Sequence, residues 1–175
     1  KVALTHDIIM DSNKILFEDT LMENSPAIGA YRSEYTVGRL SITKAKWNPV
    51  KSNQVSDRMD ALLDWYNNHS SELHPIERAA ILHTEFIRIH PFEDGNGRTA
   101  RLLMNYELAK NGYPTVVIKA KNKDEYINVL EKGILTKDST GLVELIARAV
   151  KDSEKQYKDV INDSRLSQKA HSPEQ

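Results

Sequence analysis

Proline and glycine constrain this chain most tightly where two apolar helical patterns meet, at His90-Pro91-Phe92-Glu93-Asp94-Gly95-Asn96-Gly97-Arg98-Thr99-Ala100-Arg101. Upstream, Pro75 suits the first turn of a helix, where its missing N–H is not needed. Ile76, Ala79, Ala80, His83, Phe86, Ile87 and His90 then recur at helical spacing and define a buried face. Pro91 ends that helix, because the residue before a proline is pushed out of the α region. Downstream a second helix is predicted from about Arg98, with Leu102, Leu103, Tyr106 and Leu108 as apolar positions. Gly112 is its stop and Pro114 lies just beyond. The stretch between is a loop pinned between two helices.

That loop concentrates chemically able groups. Gly95-Asn96-Gly97 falls at a helix N-terminus, where glycine lets a ligand approach the main chain and free N–H groups favour an anion. Arg98 and Arg101 are i,i+3 neighbours, so both reach one anion, and two guanidiniums suit a polyphosphate better than a single carboxylate. Asp94 adds a hard oxygen, and Mg²⁺ commonly takes one or two carboxylates plus substrate phosphates. His90 titrates in the range suited to proton transfer near neutral pH. Alone, each has an ordinary structural use: a turn, a helix-end histidine, solvent-facing arginines, a loop acid. Their coincidence points to phosphoryl or nucleotidyl transfer.

The loop resembles the signature HxFx[DE]GNGRxxR of the Fic domain family, with every fixed position filled. Gly29-Ala30-Tyr31-Arg32 and the Val37 region resemble that family's lead-in to a β-hairpin flap. His74-Pro75-Ile76 and Ala79-Ala80 resemble the segment before the catalytic helix. Arg101 to Asn105 and Gly112-Tyr113-Pro114 resemble the family's next helix and turn. The resemblance implies an all-α Fic-type helical bundle with a small β-hairpin flap, over residues 1–160, with the flap at 35–50 and the catalytic loop at 90–101. It implies a protein adenylyltransferase moving AMP from the co-substrate ATP, with Mg²⁺, to a Ser, Thr or Tyr hydroxyl of a protein substrate. His90 would be the general base, Phe92 the buried anchor of the loop and Asp94 the Mg²⁺ ligand. Gly95, Asn96 and Gly97 would cradle the phosphates, with Asn96 near the α-phosphate, and Arg98 and Arg101 would bind the outer ones. Glu93 has no role. Glycine at 97, where the kinase-like branch carries lysine, favours transfer of the α-phosphate with its nucleoside.

The sequence also departs from the family. Adjacent tyrosines are expected at the adenine pocket, with an asparagine further on; here stand Tyr126-Ile127 and Ile134-Leu135. Tyr126 is a nucleoside-contact candidate with an equally good structural reading, and UTP or GTP remain alternatives to ATP. An inhibitory helix [ST]xxxE[GN], whose Glu would pair with Arg101, has no counterpart before the loop. Thr140 to Glu144 fits TxxxE, but Leu145 follows. An inhibitory segment is therefore expected upstream of Lys1 or on a partner chain, and a homodimer is one arrangement the resemblance allows. Removal of AMP from a modified protein, and a nucleotide-binding regulatory module with little turnover, stay open beside the transferase reading.

The 175 residues suit one domain with a real core. A net charge of −1 gives no support for a nucleic-acid or anionic-membrane surface. Without cysteine there are no disulfides or thiolate sites. No apolar run approaches a membrane span and no signal peptide is read, so a cytoplasmic protein or a delivered effector is expected, with the native N-terminus allowed to lie upstream. Six to eight helices are predicted. Leu4, Ile8, Ile9, Ile15 and Leu16 mark one over residues 4–17, with His6 on the surface. Residues 35–50 alternate across a Gly38-Arg39 turn, with Trp47 as anchor, and suggest a hairpin. Val55, Met59, Leu62, Leu63 and Tyr66 mark a helix, followed by a polar loop over 67–74. His83 reads as a buried structural residue. Helices are predicted over 123–132 and from Gly141 to Tyr157, with a polar, mobile tail over 161–175.

Overall fold

Helix α3 (Pro75–Ile89) organises the molecule. Proline occupies its first position, and His74 Nδ1 accepts from the Ile76 N–H at 3.3 Å, which caps the predicted start. Along it Ile76, Ala79, Ala80, Leu82, His83, Phe86, Ile87 and Ile89 are buried. Side chains buried nearly all round mark a central helix, not a surface one with a single apolar stripe. Against it pack α2 (Val55–Asp64), α4 (Asn96–Lys110), α5 (Lys123–Thr136) and α6 (Thr140–Ala170), while α1 (His6–Ile15) packs on α4. The structure, a computed structural model, describes residues 3–20, 22, 25–33, 38–39 and 46–170, with backbone alone at 38–39, 46 and 163–170. None of the described helices is long and apolar enough to cross a membrane.

The all-α class stands as predicted. The described strands are two residues each, β1 (Gly38–Arg39) and β2 (Lys46–Trp47), paired antiparallel with Gly38 opposite Trp47. Gly38-Arg39 is therefore strand where a turn is expected from sequence. Tyr35, Val37, Leu40 and Ile42, which carried the hairpin alternation, lie outside the described residues.

Several element bounds shift for local reasons. Helix α1 is shorter than residues 4–17, because Thr5 caps it, Oγ1 accepting from the Ile8 N–H at 3.3 Å. Its inward positions are Ile9 and Asn13, and Ile15 is exposed. His6 is half-buried: its ring nitrogens lie 2.8 Å from the Tyr31 hydroxyl and 2.7 Å from Asp60 Oδ1. After α2 the chain continues as a wider π turn, Trp65–His69, into the region expected as loop. In α4 Leu102 is exposed, and Ala100 and Met104 are buried beside Leu103 and Leu108. Helix α5 runs on to Thr136 because Ile134 still packs inside. The segment expected as tail from 161 continues α6 to Ala170, and residues 171–175 lie outside the described residues. Glu144 is exposed on α6.

A buried charge cluster ties the central helices, and its members do not stand out in the sequence. Arg78 of α3 donates through Nε to Glu107 Oε1 of α4 at 2.6 Å and also through Nη2, while the Tyr66 hydroxyl donates to Glu107 Oε2. Asn111 Nδ2 adds a donor at 2.6 Å. A carboxylate inside a core is tolerated only with its acceptor sites filled in this way.

His83, read from the sequence as a buried structural residue, is fully buried on α3. Its Nε2 lies 3.1 Å from the Tyr126 hydroxyl and its ring meets the tyrosine edge-on. Burial, with the Arg101 charge in the same sense, pushes the imidazole down to about 3. In the unfolded chain it takes a proton near its ordinary 6.5, so between these values the unfolded state holds more protons and stability falls as pH drops from 6.5 toward 3. Urea unfolding at steps from about pH 7 to about pH 4.5 should show the wild type losing up to about 1.4 kcal/mol per pH unit more steeply than His83→Gln. Equal slopes would mean that His83 is charged in the fold.

Candidate active site

The loop leaves α3 through a left-handed residue. His90 has φ 55° and ψ 60°, and its N–H still donates to the Phe86 carbonyl at 3.0 Å. The predicted exit from the α region before Pro91 therefore occurs by inversion, not by extension. Around it the backbone is tied by Arg32, whose Nε donates to the His90 carbonyl at 2.7 Å and whose N–H donates to the Pro91 carbonyl at 2.8 Å. The His90 ring lies edge-on to Trp47 at 5.6 Å between centroids. Its Nδ1 is buried without a hydrogen bond of ordinary geometry. Burial holds the imidazole below its usual range, and the Arg32 charge acts in the same direction. The Ile87 carbonyl and Asp94 oppose this and do not reverse it. The outcome is a neutral imidazole, which is the form a general base needs.

Phe92 is fully buried, within ring contact of Tyr31 at 5.5 Å and Phe86 at 6.1 Å. Its ring packs the loop against α3 through Phe86. Its peptide is bonded in both senses by one side chain: the Phe92 N–H donates to Asn96 Oδ1 at 2.9 Å, and Asn96 Nδ2 donates to the Phe92 carbonyl at 2.8 Å. The Asn96 carboxamide thus uses one acceptor and one donor inside the loop, and its side chain is buried there.

Helix α4 begins at Asn96, two residues before the expected Arg98, because Gly95 takes the left-handed cap position at φ 81°. The N–H groups of residues 96–98 then have no acceptor within the helix. Asp94 accepts from the Gly95 N–H through Oδ1 at 2.6 Å, and its Oδ2 lies 3.6 Å from Arg98 Nη2 on an exposed side chain. That second oxygen is a hard ligand facing outward, which fits a cation shared with phosphate oxygens. Among the described residues no group of three or more His, Cys, Asp or Glu assembles. Arg98 stacks over Phe17, 4.4 Å from guanidinium carbon to ring centroid. Gly97 has ordinary helical backbone, and a Cβ there would meet Arg101 Nη1 at 3.5 Å.

Arg101 lines a pocket of ≈ 370 Å³ with Ile118, Ala120, Lys123, Tyr126 and Ile127. Tyr126 is therefore brought to the site, although it is buried and its hydroxyl turns to His83. Ile134 is buried in the core instead. The structure also adds Asn13 to the sequence-read residues. Its Nδ2 donates to the Asp94 carbonyl at 3.1 Å and to Thr99 Oγ1 at 3.2 Å, and its Oδ1 accepts from the Gly29 N–H at 3.0 Å. The signal was a polar residue four places after Ile9 on the buried face of α1.

Comparison with known proteins points to one family. The family model described as Fic/DOC family matches residues 3–108. A Caenorhabditis elegans protein named protein adenylyltransferase fic-1 is 35% identical over 112 residues, covering 62% of this chain and 22% of that protein. A Nematostella vectensis protein adenylyltransferase Fic is 35% identical over 129 residues, 71% of this chain and 30% of its own length. The chain thus spans under a third of these relatives. Among solved structures, a Fic-domain-containing signalling protein from Bacteroides thetaiotaomicron aligns with TM-score 0.73 and 33% identity, over 85% of this chain and 59% of the other. Caenorhabditis elegans Fic-1 with its E274G substitution aligns with TM-score 0.78 and 27% identity, over 93% and 45%.

Two left-handed glycines separate loop strain from steric conflict. At Gly95 a Cβ would meet Asn13 Nδ2 at 2.7 Å and Phe17 Cε2 at 2.9 Å, whereas at Gly112, with φ +80°, it would meet nothing within 4 Å. Gly112→Ala is expected to lose about 1 kcal/mol, and Gly95→Ala roughly 2–4 kcal/mol, by urea unfolding. Equal losses would show that α1 yields at no cost.

Proposed function

Because the chain belongs to the Fic/DOC family, we propose that it is a protein adenylyltransferase, moving AMP from Mg-ATP to a Ser, Thr or Tyr hydroxyl of a target protein. The observation that supports this most is one turn carrying a neutral, buried His90 at the end of α3 and open N–H groups with Arg98 and Arg101 at the start of α4. The names of the relatives support the same activity.

In this reading the target hydroxyl gives its proton to His90, and its oxygen attacks the α-phosphorus. The bond from that phosphorus to the bridging oxygen breaks, and pyrophosphate leaves with its electrons. His90 then releases the proton to solvent. Asp94 would hold Mg²⁺, whose charge offsets that of the phosphates. The N–H groups of Asn96, Gly97 and Arg98, with the two guanidiniums, hold the triphosphate in line, so the protein contributes mainly position and charge. The nucleoside falls to the pocket beside Arg101, walled by Tyr126 and Ile127. The target segment would lie along the β1–β2 pair, the region of the expected flap, within reach of His90 through Trp47.

The test uses ATP labelled at the α-phosphate, with Mg²⁺, following label on the chain itself and on lysate proteins. His90→Ala should lower transfer at least about 10²-fold while ATP binding persists. Transfer unchanged in His90→Ala would remove the base from the mechanism. Because the fold keeps His90 below its ordinary 6.5, the neutral base persists to lower pH, and the acid limb of kcat/KM should fall below 6.5. A limb above that value would contradict a buried base.

A further inference from the structure

The structure assigns Arg32 to positioning the His90 base, an inference that rests on the adenylyltransferase reading. A non-glycine residue in the left-handed region carries about 1–2 kcal/mol of strain. At His90 that conformation accompanies a ring set edge-on to Trp47, and a change of φ and ψ there would move the imidazole. Something must hold it there.

The ties converge on one residue. The last carbonyls of a helix have no partner within it. Arg32 supplies them: Nε to the His90 carbonyl at 2.7 Å, its own N–H to the Pro91 carbonyl at 2.8 Å, and Nη2 toward the Ile89 carbonyl at 3.5 Å. Nη2 also donates to the Val50 carbonyl, close in sequence to Trp47. Rotation of ψ at His90 swings its carbonyl directly, and the donors of a guanidinium have fixed directions. Turning His90 out of the left-handed region would therefore break the Nε bond. It would also strip an acceptor from an arginine that is 3% exposed, which costs far more than a surface bond. The same charge beside the ring disfavours the imidazolium, against Asp94 and the Ile87 carbonyl, so Arg32 supports both the place and the neutral form of the base. These bonds reach Ile89, His90, Pro91 and Val50, and none of them goes to the phosphate-side residues 94–101.

Two variants test this in the full chain. Arg32→Lys keeps a charge but loses the fork, and Arg32→Gln keeps a donor but loses the charge. With wild-type helical circular dichroism, kcat should fall about 10-fold in the first and on the order of 10²-fold in the second. The KM for Mg-ATP should stay within about twofold, since uniform binding is untouched. The His90 ring is followed separately by NMR of labelled histidine, assigned by its loss in His90→Gln. Its titration should move up toward the ordinary 6.5 in Arg32→Gln. That titration needs no substrate, so the two claims fail differently. Absence of transfer by the wild type overturns the adenylyltransferase reading. An unmoved titration and unmoved kcat in a folded Arg32→Gln chain overturn the positioning role, as does loss of fold in both variants, which would assign Arg32 to the scaffold alone.

Discussion

The turn between α3 and α4 depends on a single side chain bonding one peptide from both sides. Asn96 accepts from the Phe92 N–H and donates to the Phe92 carbonyl. An asparagine is suited to this because its carboxamide offers an acceptor and donors at a separation that matches a peptide. The pair closes the loop without using any N–H of the α4 first turn. Those groups stay turned outward, and the positive end of the helix stays available. Buried Phe92 supplies the depth of the anchor, and Asn13 ties the outer rim of the same loop to α1.

Helix α3 contributes two imidazoles to the interior, seven residues apart, and the fold pushes both toward the neutral state. The same physical cause serves different ends. His83 is wholly enclosed and pairs with Tyr126, so its neutrality belongs to the packing of α3 on α5. His90 sits at the open end of the helix, where Trp47 and the loop cover only part of it. Desolvation that is merely a burden at the first position keeps, at the second, an imidazole neutral beside the loop.

Much of this was visible in the sequence. Pro75, Pro91 and the apolar spacing of α3 are local signals, and local rules read them correctly. The residues of the 90–101 loop were visible because so many able groups fall in so few positions. What escaped were the long-range supports. Arg32 stood out only within a resemblance, since nothing local shows that its fork meets carbonyls nearly sixty residues away. Asn13 and the Glu107–Arg78 pair carried no reading from the sequence, since their partners lie far along the chain. The turn at Gly38-Arg39 was misplaced because glycine signals a turn locally, while strand pairing is decided by the partner. The continuation of α6 escaped because the sequence turns polar after Ile161 and leaves no apolar period to read.

The two glycines that flank Asn96 answer to different constraints. Gly95 is demanded by the backbone and by Asn13 and Phe17 pressed against it. Gly97 has ordinary helical angles, and a β-carbon there would find only the mobile end of an arginine at normal contact distance. The scaffold has room for a β-carbon at 97, so a demand for glycine there points to whatever occupies the space in front of the helix. Fold and chemistry are thus written at neighbouring but separate positions. A lineage could change the orientation of its ligand, and with it the group transferred, by drifting at one residue without first having to refold.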